Sequence, residues 1–250
     1  MHDLPVYAEV DFEFNKERLK QELLNLDESF YLDIADVWHE GHYNPERFEN
    51  WRIGTLEENL AVSHYILKNG EKVFVPGKRK YSRSADLTWI ESEPTSLHSK
   101  SILKDGRIQM FNDLYQRAWD WRESASRLPY LRSVLDRLPF EYLQKVRILR
   151  LQANEPLWVH RDDRKDTTYF ERGFGQINLN VCSGGVTLQY KINEKIYRAP
   201  LTAACHFQSC YLHGVEPVKE DVRYTVQIYG KRNSDEYLQR LRLESAVWDI

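Results

Sequence analysis

From residue 145 onward, apolar and polar side chains alternate in short runs, and turn-forming residues separate one run from the next. Residues 146–159, 175–182, 186–192, 195–201, 203–207 and 223–229 all carry strand-like composition. Ser183-Gly184-Gly185 and Asn193-Glu194 sit where hairpin turns belong. Upstream the period changes. Asn15 is placed to cap a helix over residues 16–24, with Leu19 and Leu23 on one face. Between residues 107 and 138, Ile108, Phe111, Tyr115 and Ala118 make one apolar stripe, and after Pro129 the residues Leu131, Val134, Leu135 and Leu138 make a second. Residues 31–89 are mixed and aromatic, with short strand-like pieces such as 72–76. At the far end, residues 234–246 read as a capped helix that makes contact through Tyr237, Leu238, Leu241 and Ala246.

Helices followed by short antiparallel strands predict a mostly β protein with some α: a double-stranded β-helix (jelly roll, cupin-like) with flanking helices. The expected organisation is a single domain over residues 1–250. Residues 1–144 form an N-terminal elaboration of helices and strands, residues 145–232 the jelly-roll core, and residues 233–250 a C-terminal helix.

Composition narrows the function classes. The chain has 250 residues, 42% of them hydrophobic, enough to bury one large core. A formal net charge of -3 provides no general basic field, which argues against a nucleic-acid partner. The cluster Lys78-Arg79-Lys80 with Arg83 reads as a solvated loop. No apolar leader opens the chain and no run reaches the length of a membrane span, so a cytoplasmic protein without a membrane partner is expected. Cys182, Cys205 and Cys210 are too few and too clustered for a disulfide framework and read as free thiols.

The chemistry begins in Leu157-Trp158-Val159-His160-Arg161-Asp162-Asp163. In a strand, positions i and i+2 leave one face, so Trp158, His160 and Asp162 point together. His-x-Asp alone is either half a metal site or a surface ion pair. A third candidate ligand, His213, ends another strand-like run about fifty residues later. Two histidines and a carboxylate make the facial triad of non-haem Fe(II) oxygenases, which leaves part of the coordination sphere open to cosubstrate and oxygen. Ten positions on stands Arg223, whose planar fork suits a dicarboxylate chelating the iron through its other end. The segment Gln176-Ile177-Asn178-Leu179-Asn180-Val181 puts three amides on one strand face, where Gln176, Asn178 and Asn180 are candidate substrate contacts with Trp158 as a wall. Asp163 points away from the ligand face, His206 reads as a satisfied core histidine, and His39 and His42 read as surface or entrance residues. The charged loop 163–174 is the natural lid.

These residues resemble the Fe(II)/2-oxoglutarate-dependent oxygenases of the aspartyl/asparaginyl β-hydroxylase-like group, in particular the proline cis-4-hydroxylase type. The carrying segments are Leu128-Pro129-Tyr130-Leu131, Val146-Arg147-Ile148-Leu149-Arg150-Leu151, His160-Arg161-Asp162, and His213 with Arg223. The resemblance implies Fe(II) held by His160, Asp162 and His213, with 2-oxoglutarate as cosubstrate anchored by Arg223 and O2 as oxidant. Succinate and CO2 would accompany hydroxylation of a C–H bond. Relatives often supply an arginine or histidine from the strand that here carries the three amides, so the resemblance brings no substrate with it. A free amino acid or related small metabolite is the expected substrate. The alternatives are a residue in a peptide or protein, and a cupin-like metal-binding protein that does not use 2-oxoglutarate.

Overall fold

The structure is a computed structural model that describes residues 4–33, 64–68, 71–75, 83–89, 118–154, 157–160, 168–182, 185–219 and 222–249. Its first part runs β1 (Tyr7–Val10), α1 (Lys16–Leu24), β2 (Leu32–Asp33), β3 (His64–Lys68), β4 (Glu71–Val75), β5 (Arg83–Asp86), β6 (Thr88–Trp89), β7 (Asp120–Trp121), α2 (Glu123–Ser126) and α3 (Pro129–Leu135). The second part is β8 (Phe140–Leu151), β9 (Leu157–His160), α4 (Thr168–Glu171), β10 (Phe174–Val181), β11 (Thr187–Ile192), β12 (Lys195–Pro200), β13 (Ala204–Phe207), β14 (Leu212–Val215), β15 (Arg223–Arg232), α5 (Ser234–Gln239) and β16 (Leu241–Val247).

An eight-stranded sheet in the order β16-β1-β13-β10-β15-β8-β5-β2 faces a four-stranded sheet in the order β12-β11-β14-β9. From β8 to β15 the chain switches between the two sheets from strand to strand, apart from the hairpin β11–β12, and all these pairings are antiparallel. This is the double-stranded β-helix. The hairpin β11–β12 turns at Asn193 and Glu194, both with positive φ (46° and 65°), the backbone that lets a two-residue turn follow strand twist. The other expected hairpin does not form, because β10 and β11 belong to different sheets.

The large sheet divides its chemistry between its faces. Ile177, Leu179, Val181, Tyr224, Val226, Ile228, Val146 and Ile148 lie on the outer face. They form one core with Leu19 and Leu23 of α1 and with Leu131, Val134 and Leu135 of α3. Asn15 caps α1 as the sequence predicts, its side chain accepting from the Arg18 amide at 2.9 Å. Helix α3 starts without a capping side chain of its own, and Glu22 of α1 supplies one, accepting from the Tyr130 and Leu131 amides at 2.7 and 2.8 Å. That carboxylate docks helix to helix. An ion pair, Arg150 with Glu28, fastens the short 3-10 turn Glu28–Phe30 to β8, with the guanidinium 4.3 Å from the centre of the Tyr31 ring.

The C-terminal segment departs from the helical reading. Helix α5 stops at Gln239, and β16 pairs with β1 in the register Val10↔Leu241 and Tyr7↔Val247. The physical reason is the edge of β1, whose open backbone groups demand a partner. Arg242-Leu243-Glu244 alternates well enough to provide one, and Arg242 closes the pairing onto Asp11 at 2.9 Å. The expected first helix of the 107–138 region falls outside the described residues before Ala118, as do His39, His42, residues 78–80 and positions 163–167 of the lid loop, whose remainder forms α4 and the entry to β10. Among the described residues, no helix is long and apolar enough to cross a membrane.

Candidate functional site

The inner face of the large sheet is where polar side chains collect. Register places Gln176, Asn178 and Asn180 of β10 opposite Tyr229, Gln227 and Thr225 of β15, and Arg223 opposite Leu151 of β8. Cys205, Phe207, Leu149 and Leu151 lie on this same face and join Leu188, Tyr190 and Val215 of the small sheet in a second core. The space between the sheets is thus apolar towards its sides and polar along β10 and β15. The sequence alternation Arg223-x-Thr225-x-Gln227 carries this signal, which a reading focused on Arg223 passes over.

Of the predicted metal ligands, His213 is the one whose side chain is described. His213 lies on β14, 4% exposed, its ring edge-to-face with Phe207 of the opposite sheet at 4.8 Å between centroids. Its Nδ1 donates to the Tyr211 carbonyl at 2.8 Å. That bond fixes the tautomer with the lone pair on Nε2, the form in which an imidazole ligates a metal. His160 pairs in register with His213 across the β9–β14 ladder. Between Val215↔Leu157 and His213↔His160 the ladder takes up one extra residue in β9, a bulge that resets the alternation just before the histidine. Asp162 lies outside the described residues, as do the side chains of Trp158 and His160. No cluster of three metal-ligating side chains is complete among the described residues.

Arg223 opens β15 and is buried, 2% exposed, with its position on the face turned to the small sheet. Water and the protein surface are closed to it, so its charge depends on partners within the fold.

The three amides of β10 differ in what they do. Asn180 is fully engaged: its Nδ2 donates to the Thr202 carbonyl at 2.9 Å, and its Oδ1 accepts from the Thr225 hydroxyl at 3.0 Å. It holds the wall together. Gln176 donates to the Asn178 side-chain oxygen at 3.1 Å, and its own Oε1 is buried without a hydrogen-bond partner among the described residues. Tyr190, which pairs in register with His213, is in the same condition: its hydroxyl is buried and unmatched among the described residues, and its ring stacks between Tyr7 and Tyr197. Sequence reasoning missed Tyr190. Its signal was the apolar alternation Leu188, Tyr190, Ile192, which marks an inward face without marking chemistry.

His206 belongs to the other face and is a structural histidine, as read from the sequence. Its Nε2 lies 2.9 Å from the Pro5 carbonyl. Its Nδ1 lies 3.0 Å from the Gln176 carbonyl and 2.9 Å from the Tyr237 hydroxyl. Burial outweighs the two carbonyl contacts and holds its pKa down at about 4. Tyr237 completes the knot by donating to the Gln176 carbonyl at 2.8 Å, and its own pKa is pushed up by burial. This cluster ties the N-terminal segment and α5 to the outside of β10, directly behind Gln176.

No family model matches the chain, and no curated protein matches it. Among solved structures, a prolyl hydroxylase in complex with a hypoxia inducible factor oxygen degradation domain peptide fragment, from Trichoplax adhaerens, aligns over 94% of this chain and 87% of its own, with 14% identity and a TM-score of 0.42. An oxalate oxidase in complex with the substrate analogue glycolate aligns over 36% of this chain, at 12% identity and a TM-score of 0.27. That match spans 43% of the oxalate oxidase. A cupin domain from Bordetella pertussis aligns over 34% of this chain and 77% of its own, at 16% identity and a TM-score of 0.24.

Proposed function

We propose that this chain is an Fe(II)/2-oxoglutarate-dependent dioxygenase that hydroxylates a C–H bond of an amino acid or related small metabolite. The observation that carries the reading is one arrangement. A buried histidine in its metal-ligating tautomer, His213, stands in register with His160 on the small sheet, while Arg223 is buried on the facing side of the large one. His160, Asp162 and His213 would hold the metal. With 2-oxoglutarate and O2, bound iron supplies the oxidising power for C–H hydroxylation and releases succinate and CO2.

The rest is positioning by the protein. Tyr211 orients the His213 ring through its carbonyl. Arg223 pairs with the distal carboxylate of the cosubstrate, a bidentate contact that suits its fork. Thr225 and Asn180 brace the strands between them, so the wall keeps its shape when ligands enter. Gln176 and Asn178 would face the substrate, with Trp158 of β9 as a candidate contact. The apolar side of the interior, Phe207, Leu188 and Val215, excludes water from the reacting end.

The test is anaerobic titration of the purified chain with Fe(II) and then 2-oxoglutarate, followed by a metabolite screen scored for succinate. His213→Ala and Asp162→Ala are expected to lose iron binding and substrate-dependent succinate while keeping a cooperative unfolding transition. Undiminished turnover in either variant rules the assignment out. A metal that binds tightly with no response to 2-oxoglutarate favours the cupin-like metal-binding alternative.

A further inference from the structure

The polar wall has an unfinished part. Three rows of cross-strand pairs run along the inner face of β10 and β15. The row Asn180–Thr225 is closed by its own hydrogen bonds. In the row Asn178–Gln227, both residues are 8% exposed and opposite one another. Among the described residues, the Gln227 side chain makes no hydrogen bond and Asn178 makes only the one it accepts from Gln176. The row Gln176–Tyr229 adds a fully buried acceptor, Gln176 Oε1, with no partner among the described residues. An unmatched buried acceptor is disfavoured unless something else completes it, and this one stands beside two amides, Asn178 and Gln227, with hydrogen-bonding capacity unused among the described residues.

Their location is informative. Phe207 continues the β13–β10 register to the level of Gln176, since His206 pairs with Ile177. His213 packs against Phe207. The unfinished amides are therefore level with the histidine end of the interior, while Arg223 lies four residues beyond Gln227 along the same face. A cosubstrate held at Arg223 and a group held at the amides occupy different stretches of one wall.

We propose that Gln176, Asn178 and Gln227 form a recognition site for a carboxamide, so that the substrate carries a primary amide or a peptide unit. This rests on the oxygenase reading of the same interior. The argument is one of matching. Gln176 Oε1 needs a donor and the Asn178 amide nitrogen needs an acceptor, so the ligand must offer both side by side. A carboxylate offers acceptors alone, and an ammonium donors alone. Turning the Gln176 and Asn178 amides over exchanges their roles and leaves a buried donor beside an acceptor, which a carboxamide also completes. Gln227, across the ladder, closes over the second edge of the same group. Neutral amides give a carboxylate no compensating charge when it is stripped of water, which adds discrimination against free acids.

The experiment uses the full chain under anaerobic conditions with Fe(II) and 2-oxoglutarate. Matched probes are an amino acid, its primary amide and its N-acetyl methylamide, each in a proline, leucine and lysine series. Binding is read by ligand-observed NMR, which needs no turnover, and succinate is read in parallel after oxygen is admitted. The amide members are expected to bind at least about tenfold more tightly than the acids. Gln227→Leu is expected to lower amide affinity roughly three- to tenfold and to leave acid affinity unchanged, so that the ratio narrows. Gln227→Glu, which keeps the shape, is expected to narrow it as well. Preference for the primary amide over the methylamide would assign a side-chain or terminal carboxamide, and the reverse a peptide unit; either supports the site. Acids binding as well as amides, ratios unmoved by both Gln227 variants, or no probe binding at all would overturn it, the last meaning that the amides hold water only. An amide preference without iron-dependent succinate would sink the oxygenase reading and leave the amide site standing. Iron-dependent succinate formed from free acids as readily as from amides, in the wild type and in both Gln227 variants alike, would do the opposite.

Discussion

His206 gives a prediction whose size follows directly from its surroundings. The ring is fully buried against β1, β10 and α5, and burial holds its pKa at about 4, against 6.5 for an ordinary histidine. The positive charge of Arg232 acts in the same direction as burial. A folded-state pKa below the unfolded one means that the unfolded chain binds the extra proton first. The contribution is therefore fully present above pH 6.5 and is lost as the pH falls from 6.5 to about 4. At about 1.4 kcal/mol for each tenfold difference in proton affinity, the gap amounts to about 3 kcal/mol at the acid end. Urea unfolding followed by tryptophan fluorescence, at half-unit steps between pH 7.5 and 4, measures it. Carboxylates also titrate in this window, so the informative quantity is the difference between wild type and His206→Gln. The variant is expected to be less stable at neutral pH and to lose less on acidification, so the two curves converge by about 3 kcal/mol. Parallel curves would refute the reasoning, because the ring would then bind its proton equally well folded and unfolded; a wild type that gains on the variant as the pH falls would mean that the Pro5 and Gln176 carbonyls hold the imidazole protonated.

Three further outcomes are expected. Replacing Arg223 by Leu should weaken 2-oxoglutarate binding about ten- to hundredfold, and Arg223→Lys should fall between, because a charge-assisted pair is worth roughly 1.5 to 3 kcal/mol; anaerobic titration calorimetry checks this, and equal affinity in all three proteins removes Arg223 from the cosubstrate site. Gly175→Ala would place a Cβ 2.7 Å from two ring carbons of Tyr237, a ring locked by His206 and Gln176, and should cost about 1 to 3 kcal/mol in urea unfolding. Asn180→Ala strands the Thr202 carbonyl and the Thr225 hydroxyl and should also cost about 1 to 3 kcal/mol, and Asn180→Asp, which keeps the acceptor for Thr225 but turns a second oxygen on the Thr202 carbonyl in a buried site, is expected to lose at least as much; an Asp variant as stable as the parent in urea unfolding would remove the Thr202 bond from the account.

Much of this architecture was legible from local rules, and the failures have physical causes. Helix α1, its Asn15 cap and the turn at Asn193 and Glu194 follow from capping and backbone preferences that act within a few residues. The placement of Gln176, Asn178 and Asn180 on an interior face follows from strict alternation. Alternation carries no mark for the bulge in β9, because Leu157-Trp158-Val159-His160 contains no glycine and reads as an unbroken strand. Tyr237, Leu238 and Leu241 fit a helical stripe, and only the exposed edge of β1, distant in sequence, decides that Leu241 begins a strand. The sheet crossing between β10 and β11 is likewise a tertiary choice, since a Ser-Gly-Gly turn serves a hairpin equally well. Within the site, alternation predicts that an amide points inward and is silent on whether its hydrogen bonds are used, which is what separates Asn180 from Gln227.

The two-faced large sheet has an evolutionary consequence. Affinity of the strands for the helices resides in Ile177, Leu179, Val226 and Ile228, whereas the ligand preference we propose would reside in the residues between them, on the reverse of the same backbone. Because the two sets alternate, a substitution in one leaves the packing of the other almost untouched, and their effects should combine additively except where Asn180 and Thr225 share a bond. Such a strand can exchange its inward letters many times while the outward ones keep it folded. New specificities on this scaffold are then reachable by single steps through stable intermediates, with positions 178 and 227 the first to vary.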